Sequence, residues 1–452
     1  MRRENLLWLF VLPFLLSLFI YTYSYATQSR LSGMGDLSIV VEDESNMINL
    51  WDFSGNPAGF LEDEKGSVIR GDFDWDSYRI RNLPENDYAN PESVSKYKAK
   101  GNLYHNWVSL GYRKDDVFAL GVEGNYNFRK TESKHFRNER TSPRMSIVLT
   151  QRQDSITYYG ASMEYLEDKW DFRYTDSEYR DKARFKDFKS EVAVARKLSP
   201  EVNVGAVLGY NSFKSDRETV IPNSYAIWLS GQTMVVIDDK LKLGLETTIK
   251  FTKADFKSPI DEYGDKEKEN YYYALLKLRG IYELTTKLNA GLFFSDNEPL
   301  VGFYYPVDGL FMPWSLEFKG RHFGTGCSYQ FDEKLMVALE YHLRDSSRPD
   351  IASEIWGYKI TSLNLGAEDK LSDEWLIRGG FVRTELRVNP DYFKHRLTWE
   401  NTFTSGFGYQ PSGGKFIIEF SYRYAYKKFP EFLSDDLKSD RNIFGLSLKK
   451  VF

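Results

Sequence analysis

Apolar and polar residues alternate with a period of two along much of this chain. Over 117–128, Phe118, Leu120, Val122, Tyr126 and Phe128 share one face, and Glu123, Asn125 and Asn127 share the other. Over 202–211, Val204, Ala206, Leu208 and Tyr210 oppose Asn203, Gly205 and Asn211. Over 241–252, Leu241, Leu243, Leu245, Ile249 and Phe251 oppose Lys242, Glu246, Thr248 and Lys250. The same pattern sets Leu335, Val337, Leu339, Tyr341 and Leu343 against Glu340, His342 and Arg344. It also sets Phe416, Ile418, Phe420, Tyr422, Tyr424 and Tyr426 against Glu419, Ser421 and Arg423. Such alternation predicts strands with one greasy and one wet face. Segments of about ten residues with aromatics toward their ends match strands that cross a bilayer at a tilt.

The connections sharpen this reading. Short turns are expected at 114–116, 151–155, 198–200, 238–240, 284–287, 332–334, 369–373 and 410–414. Between them lie longer charged stretches at 81–100, 130–142, 167–186, 214–223, 253–269, 297–314, 345–355, 388–394 and 428–440. Tight turns at one end and long loops at the other distinguish a membrane barrel from a soluble Greek-key sandwich. The expectation is an all-β, antiparallel transmembrane barrel of about 18 strands over 67–452, with 14–16 as the alternative count. The alternation breaks in 155–174, 310–331 and 373–387. The chain closes on Phe444, Leu446, Leu448 and Phe452, one face of a last strand ending in phenylalanine. This resembles the β-signal read by barrel-assembly machinery, with Lys450 departing from the usual apolar residue.

The N-terminus agrees with that destination. Arg2 and Arg3 precede an apolar run from Leu6 to Tyr21, and Ser24-Tyr25-Ala26 offers small residues to a signal peptidase. Residues 1–26 therefore read as a signal peptide and 27–66 as a separate segment before the barrel.

Composition narrows the function. Aromatic residues are 16% of the chain, with 31 Tyr and 32 Phe, an excess that two membrane-interface girdles would absorb. The net charge of −5 leaves no basic footprint for nucleic acid. The single cysteine, Cys327, rules out an internal disulfide and shares a face with Phe323, Tyr329 and Phe331.

Catalytic and cofactor signatures are weak. Gly33-Met34-Gly35 lacks the third glycine of a dinucleotide fingerprint. Asp72, Asp74 and Asp76 open like a calcium loop, yet Ser77 and Leu83 stand where glycine and glutamate are required. His105, His135, His322, His342 and His395 show no metal-ligand spacing. No catalytic residue, metal site or cofactor is expected, and the chain does not read as an enzyme.

One stretch carries a family resemblance. Arg30-Leu31-Ser32-Gly33-Met34-Gly35, the acids Asp43 and Glu44, and Asn56-Pro57-Ala58-Gly59-Phe60 resemble the opening of the FadL/PorV-like outer-membrane family. The resemblance implies that 27–66 lies inside or under the barrel as a hatch, and that the barrel has about 14 strands. It also implies passive movement of hydrophobic molecules across the outer membrane. Some relatives in that family instead dock or shuttle proteins in secretion, which is the alternative function.

Alternation places Arg70, Asp72, Asp74, Glu123, Lys242, Glu246, Lys250, Glu340, Arg344, Glu419 and Arg423 in the lumen. Hatch acids Asp36, Glu42, Asp43 and Glu44 are expected to meet bases such as Arg70, Lys242 or Arg423. Tyr271, Tyr273 and Phe303 are candidates for a greasy pocket, and Trp170-Asp171-Phe172-Arg173-Tyr174 for an external interaction loop. The expected partners are outer-membrane lipid, the assembly machinery, and a hydrophobic small molecule or secretion-system proteins.

Overall fold

The computed structural model describes Met34, Ala58 and residues 67–84, 96–114, 117–134, 136–175, 180–216, 223–238, 240–255, 268–300, 318–346, 357–389, 396–411, 416–428 and 438–451. These contain β1 (Val68–Pro84), β2 (Lys96–Lys114), β3 (Phe118–Ser133), β4 (Phe136–Arg152), β5 (Thr157–Tyr174) and β6 (Arg180–Lys197). Next come β7 (Val202–Ser215), β8 (Asn223–Ile237), β9 (Leu241–Asp255), β10 (Lys268–Thr285), β11 (Leu288–Leu300) and β12 (Phe318–Gln330). The remainder are β13 (Leu335–Ser346), β14 (Gly357–Lys370), β15 (Trp375–Asn389), β16 (Arg396–Tyr409), β17 (Phe416–Lys428) and β18 (Lys438–Val451).

All 18 strands form one sheet in sequence order, and β1 pairs antiparallel with both β2 and β18. The sheet is therefore a closed barrel without edges, the arrangement that satisfies every strand's backbone in lipid. The count of 18 is the larger of the two numbers read from the sequence, not the smaller one that the family resemblance implies.

Register assigns the faces, because directly opposed residues point the same way. Leu208 opposes Leu229, which opposes Ile249, and all three are exposed on the outside. Ile249 keeps 66% of its surface and Leu229 57%. A soluble protein would not leave Leu276, Leu292, Leu339, Leu365, Phe403 and Phe420 in the same condition. Aromatics mark both rims of this apolar band. Trp375 lies 4.8 Å from Phe407 and 4.3 Å from Tyr409 near the short-turn end. Toward the other end Phe251 and Tyr272 are 5.0 Å apart, and Tyr165 sits opposite Phe188. Cys327 is exposed on the outer face between Phe323 and Tyr329.

Two of the stretches expected as long loops are strand instead. β3 runs to Ser133 and β4 begins at Phe136, so most of 130–142 is paired ladder. β5 runs to Tyr174 and β6 begins at Arg180, so 167–186 is mostly ladder, and Trp170–Tyr174 is not a loop. The cause is an inversion of polarity. Up to Tyr165 the apolar residues of β5 face outward; beyond it Glu167, Lys169, Asp171 and Arg173 face outward, and Trp170 and Phe172 are buried on the inner face. A strand leaving the bilayer exchanges lipid for water on its outer side, so a pattern that looks broken in sequence is continuous in space. With 18 residues, β5 is about 60 Å long, or roughly 40 Å tall at barrel tilt. β13, with 12 residues, reaches only roughly 28 Å. The wall is raised along β1–β6, whose strands run 16 to 19 residues, and again at β10 with 18.

Candidate functional site

At the short-turn end of the lumen, small apolar side chains gather on the inner wall. Ala119, Val148, Tyr158, Ala193, Ala195 and Val207 come from β3 through β7, and Met234 of β8 packs against them. Fully buried among them is Ala58, from the Asn56–Gly59 motif. Alanines at 119, 193 and 195 leave room for a chain to approach the wall closely. Met34 is also fully buried. Gly33, Gly35, Asn56, Pro57 and Gly59 fall outside the described residues, as do the hatch acids.

From the short-turn end upward the inner wall is ionic, and several of its charges pair with one another. Arg70, Asp72 and Asp74 of β1, Glu123 of β3, Lys242 and Glu246 of β9, Glu340 and Arg344 of β13, and Glu419 and Arg423 of β17 all occupy inward register positions. Arg378 of β15 is 2.7 Å from Glu368 and 2.8 Å from Glu419, with side-chain exposures of 1%, 13% and 2%. Gly408 of β16 lies beside these pairs, and a Cβ there would sit 3.3 Å from the guanidinium, tighter than ordinary contact. The Ser447 hydroxyl donates to Asp72, and Arg441 holds Asp76 at 2.6 Å. Asp72, Asp74 and Asp76 thus climb one strand at alternate positions and cannot wrap an ion as a loop does. Among the described residues no three His, Cys, Asp or Glu side chains are grouped to hold a metal.

Two histidines that look scattered in sequence meet across β12 and β13. His342 Nε2 lies 3.1 Å from Glu340 Oε2, and His342 Nδ1 lies 3.1 Å from His322 Nε2. Phe293 stands edge-on to His322 at 4.8 Å. Gly326, directly opposite Glu340, leaves space for that side chain, because a Cβ would come within 2.7 Å of it and of the Leu339 carbonyl. Arg378, His322 and Lys277, the last 3.6 Å from Glu246, are lumen residues that sequence reasoning missed. Arg378 and His322 lie in segments where the alternation broke; inward Gly380, Gly324 and Gly326 interrupted the polar face that would have revealed them.

Toward the long-loop end the inner wall turns aromatic. Phe136, Trp170, Phe172, Ala183 and Phe185 form one buried cluster, with Phe213 against it. Phe136 stacks on Phe172 at 5.7 Å, Trp170 on the same ring at 5.8 Å, and Phe185 on Phe213 at 5.9 Å. Beneath this shelf, Arg140 Nε is 2.9 Å from both oxygens of Asp168, and Ser142 donates to the same carboxylate at 2.8 Å. An apolar surface above a satisfied ionic floor suits a molecule with no charge of its own. The side chains of Tyr271, Tyr273 and Phe303 fall outside the described residues. Phe444, Leu446 and Leu448 share the outer face of β18, Phe444 stacking 5.4 Å from Trp75, and Phe452 is outside the described residues.

No family model matches the chain, and no curated protein matches it. Solved structures do. The CymD monoaromatic hydrocarbon channel is 13% identical, with 95% of this chain and 99% of that chain covered and a TM-score of 0.40. The Ralstonia pickettii toluene transporter TbuX gives 11%, 95%, 99% and 0.41 for the same quantities. The ferric citrate transporter FecA in its unliganded form gives 11%, 85%, 78% and 0.49. These superpositions are loose, and the conclusion rests on the barrel's own faces. A closed sheet of 18 strands, apolar outside, polar within and rimmed by aromatics, is an integral β-barrel of the outer membrane.

Proposed function

We propose that the chain is a passive transporter of small hydrophobic molecules, with residues 27–66 acting as a hatch. The observation that carries this reading is the inward aromatic shelf of Phe136, Trp170, Phe172, Phe185 and Phe213. Aromatics turned away from lipid on a membrane barrel have no role in anchoring it; packed against one another they make an apolar wall whose half-buried edge, Phe213, is open to a ligand. The hatch part draws on Ala58, seated in the apolar patch at the opposite end.

Binding of N-phenyl-1-naphthylamine, a fluorescent apolar probe, tests the shelf in detergent-solubilised protein. Replacing Phe213 with alanine is expected to weaken probe binding about fivefold, the value of one aromatic contact of about 1 kcal/mol. Absence of probe binding to the parent protein would defeat the reading. Deleting 33–60 tests the hatch: single-channel conductance in planar bilayers is expected to rise, and unchanged conductance would mean that the segment is no plug. A barrel that docks or shuttles proteins would instead yield a stable complex in a pull-down, with no response to either change.

A further inference from the structure

The raised wall carries a second surface, on its outer side. Tyr165 and Phe188 oppose each other at the upper rim of the apolar band, with Tyr210 on the next strand. One step up from Tyr165, Phe188 and Ser212, the outward positions are Glu167, Lys186 and Lys214, directly opposed across β5, β6 and β7. Above them lie Lys169, Arg184 and Asp216. One two-residue step is about 6.6 Å of strand, or roughly 5 Å of height at barrel tilt. That places this row in the headgroup region bordering the aromatic belt.

The charges at this height do not balance. Glu167 is shared by Lys169 at 2.9 Å and by Arg184. Asp171, one step higher, is held between Arg173 at 2.9 Å and Arg180. Lys186 and Lys214 remain face to face across the β6–β7 ladder, both exposed. Glu167 stands opposite Lys186 on the β5 side, but its carboxylate is taken up by Lys169 and Arg184. Like charges directly opposed on adjacent strands, as Lys186 and Lys214 are, destabilise a sheet. The backbone beneath is braced from the inside by Phe185 stacked on Phe213. Two strands away the ammonium of Lys253 lies over the Tyr225 ring at 5.8 Å, continuing the basic band along the rim.

We propose that Lys169, Arg184, Lys186 and Lys214 form a binding surface for the phosphorylated headgroup of an outer-leaflet glycolipid. The acyl chains would lie along Val192, Val194 and Leu208 below, and the phosphate would sit between Lys186 and Lys214. Lipid supplies both halves of this complementarity, a phosphate at rim height and a tail on the apolar band. A soluble anion or an acidic protein supplies only the first.

The test titrates the full barrel in zwitterionic detergent with bisphosphorylated lipid A, reading lipid retention by native mass spectrometry and the rise in unfolding temperature. Dephosphorylated lipid A, inorganic phosphate at equal phosphate concentration, and polyglutamate are run beside it. Lys186→Gln with Lys214→Gln is expected to weaken lipid A binding about 30-fold, about fivefold for each basic residue at a membrane surface. Lys186→Arg with Lys214→Arg should retain binding, and gel migration before and after heating shows which variants are folded. Equal binding of the dephosphorylated lipid, equal protection by inorganic phosphate, or displacement by polyglutamate would each overturn the assignment, as would a folded Gln variant binding within threefold of the parent. The comparison of the two lipids on the unaltered protein decides the matter even if the Gln variant does not fold.

Discussion

Arg378 offers the sharpest test of whether the lumen is dry toward its short-turn end. Replacing it with methionine removes the cation that lies 2.7 Å from Glu368 and 2.8 Å from Glu419, and leaves both carboxylates in place. Glu419 is 2% exposed and has little access to water; Glu368, at 13%, has some. Breaking one side of a buried ion pair costs about 3–5 kcal/mol, whereas an exposed pair contributes about 0–1 kcal/mol. With one carboxylate fully enclosed and the other partly hydrated, a loss of about 3 kcal/mol is expected. Urea unfolding from phospholipid vesicles, followed by tryptophan fluorescence, measures it. Neutralising the acids as well, in Arg378→Met with Glu368→Gln and Glu419→Gln, should recover most of the loss. Arg378→Lys should recover only part, because a point charge cannot span two carboxylates as a guanidinium does. A loss under about 1 kcal/mol for Arg378→Met would mean that water screens the site and the wall lines an open aqueous path. A triple variant no better than the single one would locate the cost in packing against Gly408 rather than in charge.

The two faces of the wall should respond oppositely to charge. Leu245→Arg or Phe420→Arg, on the outer face, is expected to cost about 2–4 kcal/mol near mid-membrane, and Glu246→Gln or Ser421→Ala much less; equal costs in the same unfolding assay would contradict the assignment of faces. At the β12–β13 turn, Asp332 Oδ1 accepts from the backbone N–H groups of Leu335 and Lys334, both at 2.8 Å. These bonds, Leu335's first, hold its carboxyl below the usual aspartate range. A folded-state pKa depressed below the unfolded one gives stabilisation that is present above the unfolded value and lost as pH falls through the folded one. Protection of the Lys334 and Leu335 amides, measured against their intrinsic exchange rates, should therefore fall below about pH 4. Asp332→Asn should flatten that acid limb, and an unchanged pH profile in the variant would sink the argument.

The sequence by itself determined the architecture because a barrel in lipid is specified locally. Each strand must present apolar side chains outward at every second position, so Leu208, Ile249, Leu339 and Phe420 are legible without knowing any neighbour. The same rule located the inward positions of Glu246, Glu340 and Glu419. It failed where the surroundings change along a strand. Trp170 and Phe172 read as loop because β5 leaves the bilayer at Tyr165 and its greasy side moves to the interior. Partnership was equally out of reach, since what Arg378, Glu368 and Glu419 share is a height on three strands rather than a spacing in the chain. The joining of Glu340, His342 and His322, the opposition of Lys186 to Lys214, and the seat of Ala58 among alanines of β3 and β6 have the same origin. Alternation tells a residue which side of the wall it faces; only closure and register of 18 strands decide what it meets there.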